Sequence, residues 1–313
     1  MLLNIYKWVV SEVYNMAVEQ NVIAIMYDCD LTLTPVYMQE VLFEHFNVSG
    51  GEFWRQNDLW QEEIEKQGVN FDDECVYMNS MLKYTREGKF AGLSNGLLRE
   101  LGAQMELFKG LPEFFSRMKE VVCDTEGFRK ADIKLEHYII STGMKETIMG
   151  SALGLVVNGV FASEFYEEDG VIAGIARTVG YAKKTEYIHL INKGGNIDSR
   201  IDVNSKVDDC DRRVPFTQMI YVGDGPTDVP CFATLNHKGG KSIAVYHPTQ
   251  EKAFSQCYQL QEEGRVFAFG PADYRSGSHI SNVLELTIRQ MADGIVERRE
   301  RERTGKIRGA VKL

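Results

Sequence analysis

The sequence lacks the patterns that mark secreted, membrane-spanning and nucleic-acid-binding proteins. Its six cysteines include no Cys-x-x-Cys pair, which argues against a zinc site and a disulfide framework and favours reduced thiols in the cytoplasm. No apolar run approaches the roughly twenty residues that a membrane span requires. The formal net charge of −10 disfavours nucleic acid and anionic membranes as partners, because both need a cationic protein face.

Proline is also scarce, with seven residues, and low-complexity tracts are missing, so extensive disorder is not expected. The 313 residues exceed what one compact core usually needs, which predicts a large domain with a substantial insertion or a second domain. Residues 1–20 are amphipathic and lack a small-residue cleavage pattern. We expect a helix before the first strand and a cytoplasmic protein.

Short apolar runs rich in β-branched residues alternate with helix-like stretches along the chain. Each run is too short for a buried helix and suits a strand that is covered on both faces. This alternation predicts an α/β fold with a doubly wound parallel sheet. The predicted strands are Val22 to Tyr27, His137 to Ile140, Gln218 to Val222, Ser242 to Val245 and Val266 to Phe269. The predicted helices include Glu113 to Val122, Met144 to Leu153, Lys184 to Asn192 and Val283 to Ala292.

A long segment with helical patterning, residues 36–109, separates the first two predicted strands. Because it is too long for a simple crossover, we interpret it as an inserted helical cap that closes over the strand ends and sets substrate specificity. Its hinges would lie near Thr34-Pro35 and Gly110-Leu111-Pro112. Residues 1–35 and 110–313 would then form the α/β catalytic core.

Other segments carry weaker signals. Val160 to Gly174 predicts a β-hairpin, and Gly194 to Pro215 predicts a surface loop with a short helix or two. The mixed charges of Glu297 to Arg303 predict an exposed, salt-bridged helix end. Aromatic residues at helical spacing normally mark a packed face, so we interpret three residues of the cap as packing residues: Trp54, Trp60 and Tyr77.

Polar residues follow three of the predicted strands, at the edge where such sheets bind their ligands. Asp28 and Asp30, two residues apart, need a cation between them, and Mg²⁺ prefers carboxylate oxygens. One carboxylate can attack phosphorus while the other handles a proton. The residues after the other two strands are Ser141-Thr142-Gly143 and Gly223-Asp224-Gly225-Pro226-Thr227-Asp228.

Four segments in this order, DCDLT, ISTG, a lysine before a helix and GDGPTDVP, resemble the motifs of the haloacid dehalogenase-like hydrolase superfamily, phosphoserine-phosphatase-like branch. The resemblance covers residues 22–32 and 111–235 but not the cap. It implies a Rossmann-like core and a magnesium-dependent phosphatase that hydrolyses a small phosphomonoester, a phosphorylated metabolite, through an aspartyl-phosphate. Leu31 and Cys29 differ from the residues common in phosphoserine phosphatases, which counts against phosphoserine as the substrate.

By the same resemblance, Asp28 is the nucleophile, and Asp30 is the general acid and then the base that activates water. Thr32 would support the phosphoryl site. Ser141, with the amide of Thr142 or Gly143, would bind phosphoryl oxygens.

The resemblance also implies the cation set. Asp224 would complete the magnesium shell with Asp28 and the backbone carbonyl of Asp30, and Asp228 would position the lysine and a metal-bound water. Lys184 is favoured as the motif lysine because it opens the helical run, and Lys183 is the substitute candidate.

Two alternatives stay open. A phosphomutase or phosphotransferase of the same superfamily retains both aspartates, and a catalytically idle phosphate-binding regulatory protein could keep the fold. The acid/base residue Asp30 argues against the idle protein, because phosphate binding alone does not require it. The sequence indicates neither the physiological substrate nor the oligomeric state.

Overall fold

The computed structural model describes residues 19–310, with side chains up to residue 304, so the helix expected within residues 1–20 lies outside the described residues except at its very end. The strands are β1 (Val22–Tyr27), β2 (Lys134–Met144), β3 (Gly159–Glu168), β4 (Val171–Arg177), β5 (Met219–Gly223), β6 (Lys241–Tyr246) and β7 (Ala268–Pro271). They form one seven-stranded sheet in the order β4-β3-β2-β1-β5-β6-β7. Neighbouring strands pair in parallel except β3 and β4, which are antiparallel.

Helices cover both faces of the sheet. They are α1 (Glu40–Phe46), α2 (Gly50–Glu65), α3 (Asp73–Arg86), α4 (Asn95–Gly102), α5 (Glu113–Val121), α6 (Glu126–Lys130), α7 (Lys145–Gly150), α8 (Tyr181–Lys193), α9 (Val229–Lys238), α10 (Glu251–Glu262) and α11 (His279–Ala310). In β1, Ile23 and Ile25 pack into a core that includes α5 and α11, whereas Ala24 and Met26 pack into a second core with α8 and α9. The doubly wound α/β fold is therefore confirmed.

Several predicted elements differ in extent from those in the structure. Helices α8 and α11 are longer at both ends than predicted, and β7 lies two residues later in the chain. Two further differences have a local cause. β2 extends through residue 144, because its register with β3 shifts between Ile140 and Met144 and the strand continues. The helix predicted over Met144 to Leu153 is shorter. It ends at Gly150, because Ser151 is extended and its hydroxyl accepts from Leu153 N to start a separate 3₁₀ turn.

The predicted hairpin is confirmed as β3 and β4. Its turn residues Asp169 and Gly170 both have positive φ, 51° and 78°, as a tight hairpin turn requires. The sequence did not indicate that β3 also pairs with β2. The hairpin thus extends the main sheet at one edge.

Four helices, α1 to α4, lie between β1 and α5, as expected for residues 36–109. Their buried residues, among them Phe43, Phe53 and Leu101, belong to the same hydrophobic cluster as Ile25 of the sheet. The helical insertion (residues 36–109) therefore packs continuously on the core. Its assignment as a separate cap domain stays a prediction.

The two chain segments that connect the insertion to the core run side by side. Phe108 N donates to Leu33 O at 3.0 Å. Tyr274 holds both segments, because its backbone N donates to Lys109 O at 2.8 Å and its hydroxyl donates to Thr32 O at 2.7 Å. At Gly110, with φ of 93°, a Cβ would lie 2.3 Å from the Tyr274 backbone, so only glycine fits this close approach.

The remaining predictions concern the surface. The segment from Gly194 to Pro215 is a loop with one short 3₁₀ turn at Asp209–Asp211. Helix α11 carries the mixed-charge segment, where Arg301 and Glu297 pair at 2.9 Å. Between residues 19 and 310, no helix is both long and apolar enough to cross a membrane.

His137 in β2 makes stability depend on pH. Burial, with a smaller effect of Lys119, lowers its pKa from 6.5 to about 3. The folded protein then binds fewer protons than the unfolded chain, so this contribution is complete above about pH 6.5 and is lost as pH falls towards 3. At about pH 5 the loss is about 2 kcal/mol. We expect His137→Gln to reduce the fall in unfolding free energy between neutral pH and pH ~5 by that amount, as measured by urea denaturation.

The matched control is His237→Gln, which removes an exposed histidine. It should keep the wild-type pH dependence. An identical pH dependence in both variants would show that His137 does not contribute.

Candidate active site

Asp28 lies at the end of the central strand, where the predicted site begins. Its backbone N donates to Val222 O at 2.9 Å, which ties it to the neighbouring strand β5. The residue is buried, with 5% of its surface exposed. Its Oδ1 accepts from Cys29 N at 2.7 Å, and its Oδ2 lies 2.8 Å from Lys184 Nζ.

Lys184 is buried in the first turns of α8 and bridges two carboxylates, with its Nζ 2.8 Å from both Asp28 Oδ2 and Asp228 Oδ1. Burial alone would lower its pKa, but Asp228 and Asp28 raise the pKa above its usual range. The side chain therefore stays an ammonium ion.

The structure places Lys184, and not Lys183, beside Asp28. Lys183 is only partly buried, with 41% of its side chain exposed, and its ion-pair partner is Glu186 at 3.6 Å. The sequence contains a signal for this choice, since Lys184 shares a helix face with the buried residues Tyr187, Ile188 and Ile191 at spacings of three, four and seven.

Asp228 is held by two donors and keeps one oxygen unpaired. Its Oδ1 accepts from Lys184 and from the Tyr221 hydroxyl, the latter at 2.8 Å. Its Oδ2 is buried without a hydrogen-bond partner. At Gly223, a Cβ would lie 2.2 Å from this oxygen, so the glycine makes room for the carboxylate. Tyr221 was not identified from the sequence, because it lies within an apolar strand.

Asp28, Asp224 and Asp228 each offer one oxygen to a group whose members all lie within 4.8 Å of one another. Burial raises the pKa of Asp28 to about 6, although Lys184 opposes the shift. Burial, then the charges of Asp228 and Asp28, raise the pKa of Asp224 well above its usual range. One ammonium cannot balance three carboxylates. The set of hard oxygen donors, including the unpaired Asp228 Oδ2, fits Mg²⁺.

The side chain of Asp30 is not part of this group. Its Oδ1 accepts from Met38 N at 2.8 Å, which aims the carboxyl towards the helical insertion. Burial raises its pKa to about 7, and the charge of Asp28 adds to the shift. Met38 was missed from the sequence, because a backbone donor has no side-chain signal.

The chain turns sharply after Asp30. Leu31 has φ of 57°, and the amides of Thr32, Leu33 and Thr34 all lie within hydrogen-bond distance of Cys29 O. The Thr32 hydroxyl is buried without a partner. Its proton is therefore not committed to another protein atom.

The segment Ser141-Thr142-Gly143 completes the edge at the end of β2. Ser141 Oγ accepts from Gly143 N at 3.0 Å, so its own proton is left to donate. A Cβ at Gly143 would lie 2.2 Å from Met38 Cε and 3.3 Å from Asp30 Oδ2, which places the glycine directly beside the acid. Thr142 O accepts from the Tyr77 hydroxyl at 2.7 Å.

A cavity of about 510 Å³ opens next to these residues, between the helical insertion and the strand ends. The interpretation of three aromatic residues as packing residues is incomplete, because Trp54 and Tyr77 also line the cavity. Trp60 instead packs on Phe71, with ring centroids 5.4 Å apart. The lining residues are Tyr37, Trp54, Asn57, Asp58, Gln61, Asp73, Glu74, Tyr77, Thr142, Tyr181 and Thr227.

No protein-family model matches the chain. An uncharacterised protein of Borreliella burgdorferi is 31% identical over 282 residues, which cover 84% of this chain and 95% of that protein.

Among solved structures, a probable phosphoserine phosphatase from Vibrio cholerae matches with a TM-score of 0.50 and 13% identity over 90% of this chain and 68% of its own. A HAD family hydrolase from Salmonella enterica serovar Typhi matches with a TM-score of 0.45 and 18% identity over 73% of this chain and 63% of its own, just under two thirds of its length. The chain therefore belongs to one family with the Borreliella burgdorferi protein, and it shares its fold with the probable phosphoserine phosphatase from Vibrio cholerae.

Proposed function

We propose that this protein is a magnesium-dependent phosphatase that hydrolyses a small phosphomonoester through an aspartyl-phosphate on Asp28. The observation that carries the proposal is the contact of the buried Lys184 ammonium with Asp28, 2.8 Å apart, beside the acidic side chains of Asp224 and Asp228. A carboxylate can approach an anionic ester only where positive charge offsets the repulsion. Lys184 supplies one such charge.

In the first step, an Asp28 oxygen attacks phosphorus and the bond from phosphorus to the leaving alcohol breaks. Asp30 gives its proton to the leaving oxygen, a role that a buried carboxyl with a raised pKa can perform near neutral pH. Thr32 and Ser141 would donate hydrogen bonds to the phosphoryl oxygens. Mg²⁺, held by Asp28, Asp224 and Asp228, would supply the second positive charge that the site needs.

In the second step, the Asp30 carboxylate takes a proton from a water molecule, and the water oxygen attacks the same phosphorus. The bond from phosphorus to Asp28 breaks, which releases phosphate and restores the carboxylate. Asp30 is thus acid in one step and base in the other. The turn at Leu31 and the hydrogen bond from Met38 hold its carboxyl in place.

Replacing the two aspartates should separate their roles. We expect Asp28→Asn to release no phosphate from an aryl phosphate above background, because it lacks the nucleophile. Asp30→Asn should keep Mg²⁺ and phosphate binding but lose turnover by roughly 10²- to 10⁴-fold, as expected for a lost general acid and base.

The measurement is kcat and KM from phosphate release, with phosphate affinity by calorimetry. Retained activity in Asp28→Asn would contradict the nucleophile assignment. Transfer to an added alcohol without free phosphate would favour the phosphotransferase alternative.

Magnesium binding should be visible without any substrate. We expect Mg²⁺ to raise the thermal midpoint of the wild type by a few degrees, because an ion bound only by the folded state stabilises it. Asp224→Asn should abolish most of this shift. Asp293→Asn, on the exposed side of α11, makes the same charge change elsewhere and should respond as the wild type does. A full shift in Asp224→Asn would remove this residue from the metal site.

A further inference from the structure

The cavity beside Asp28 and Asp30 has an unusual charge pattern. Three of its eleven lining residues are carboxylates, Asp58, Asp73 and Glu74, and none is lysine or arginine. Four more are aromatic: Tyr37, Trp54, Tyr77 and Tyr181. An anionic substrate group would thus find a cation at the Lys184 end, but none among these lining residues.

The carboxylates of the cavity wall are not neutralised by the protein. In the described part of the chain, none of the three forms a salt bridge, and Asp73 accepts only from neutral partners, Tyr181 at 3.0 Å and Gln61 at 3.3 Å. Burial raises the pKa of Glu74, and the charges of Asp72 and Asp73 raise it further. A positively charged ligand would relieve this repulsion.

The aromatic rings form a corner that suits a cation. The centroids of Tyr37 and Trp54 are 6.0 Å apart with their planes at 53°, and those of Trp54 and Tyr77 are 6.4 Å apart at 58°. All three side chains line the cavity. Indole and phenol faces attract an ammonium group, and quaternary ammonium ions are bound in this way.

The cavity begins where the phosphoryl group would sit. Tyr77 donates to the backbone oxygen of Thr142, the residue after Ser141. Thr227, which precedes Asp228, lines the same space. A phosphomonoester attacked by Asp28 would therefore point its leaving group at the aromatic corner and the acidic wall.

We propose that the substrate is a phosphomonoester whose leaving alcohol carries an ammonium group, with the aromatic corner favouring a quaternary one. The inference rests on the phosphatase function proposed above. The ester bond to phosphorus breaks, the alcohol oxygen takes the Asp30 proton, and water supplies the oxygen and protons of the released phosphate and restored acid. An ester with a carboxylate in its leaving group, such as phosphoserine, would meet the acidic wall.

The test compares phosphocholine with its uncharged isostere, in which a tert-butyl group replaces the trimethylammonium. The two esters have the same shape, so the ratio of their kcat/KM values isolates the charge. We expect a ratio of about tenfold or more in favour of phosphocholine, as a cation–π contact with nearby carboxylates provides. Phosphoethanolamine should fall between phosphocholine and phosphoserine, which should be hydrolysed least.

Two variants test which residues cause the preference for phosphocholine over its isostere. Asp58→Asn and Trp54→Leu should each lower the phosphocholine-to-isostere ratio by several-fold. Glu63→Gln, an exposed residue on the same helix and outside the cavity, makes a matched charge change and should leave the ratio unchanged.

The outcomes separate the two proposals. Hydrolysis of an aryl phosphate with equal rates for phosphocholine and its isostere would overturn the cationic leaving group and leave the phosphatase standing. A preference for phosphoserine would overturn it as well. No phosphate release from any ester, the aryl phosphate included, would overturn the proposed function and this inference with it.

Discussion

The ammonium group of Lys184 is the interaction on which the rest of the site depends. It reaches from α8 across the edge of the sheet to Asp28 after β1 and Asp228 after β5, with 2.8 Å contacts to both. Breaking a buried pair leaves an uncompensated buried charge, which costs several kcal/mol. The lysine therefore joins three elements of the fold and also keeps the proposed nucleophile ionised.

Charge is distributed unevenly from the base of the site outwards. At the base, one ammonium faces the clustered carboxylates of Asp28, Asp224 and Asp228. This leaves negative charge that a divalent cation can offset. Above it, the helical insertion adds more acidic groups and no cation to the cavity wall. A phosphate that binds with magnesium at the base would match the charges there. A cationic group that binds at the cavity wall would offset the negative charge of its carboxylates.

Local patterns in the sequence were enough to predict the strands, because apolar β-branched runs mark buried parallel strands, and the polar residues that follow them meet at one sheet edge. Contacts made across the fold were not predictable. Met38, Tyr77 and Tyr274 reach the site or its connecting segments through backbone atoms or a hydroxyl, and nothing in their neighbouring residues signals this. The pairing of the β3-β4 hairpin with the sheet was unpredictable for a similar reason. Pairing at a sheet edge depends on the partner strand, which local sequence does not reveal. Lys184 was chosen because it opens the predicted helical run, but α8 begins at Tyr181. The signal that supports the choice is instead its helical spacing to the buried residues of α8.

Replacing Lys184 tests the central claim most directly. In magnesium-saturated, folded protein, Lys184→Met should lower kcat/KM for an aryl phosphate by on the order of 10²- to 10³-fold, because the nucleophile loses its compensating charge. Lys183→Met, one residue away and partly exposed, should keep wild-type activity. Equal activity in the two variants would contradict the account, because the buried ammonium would then have no part in the reaction.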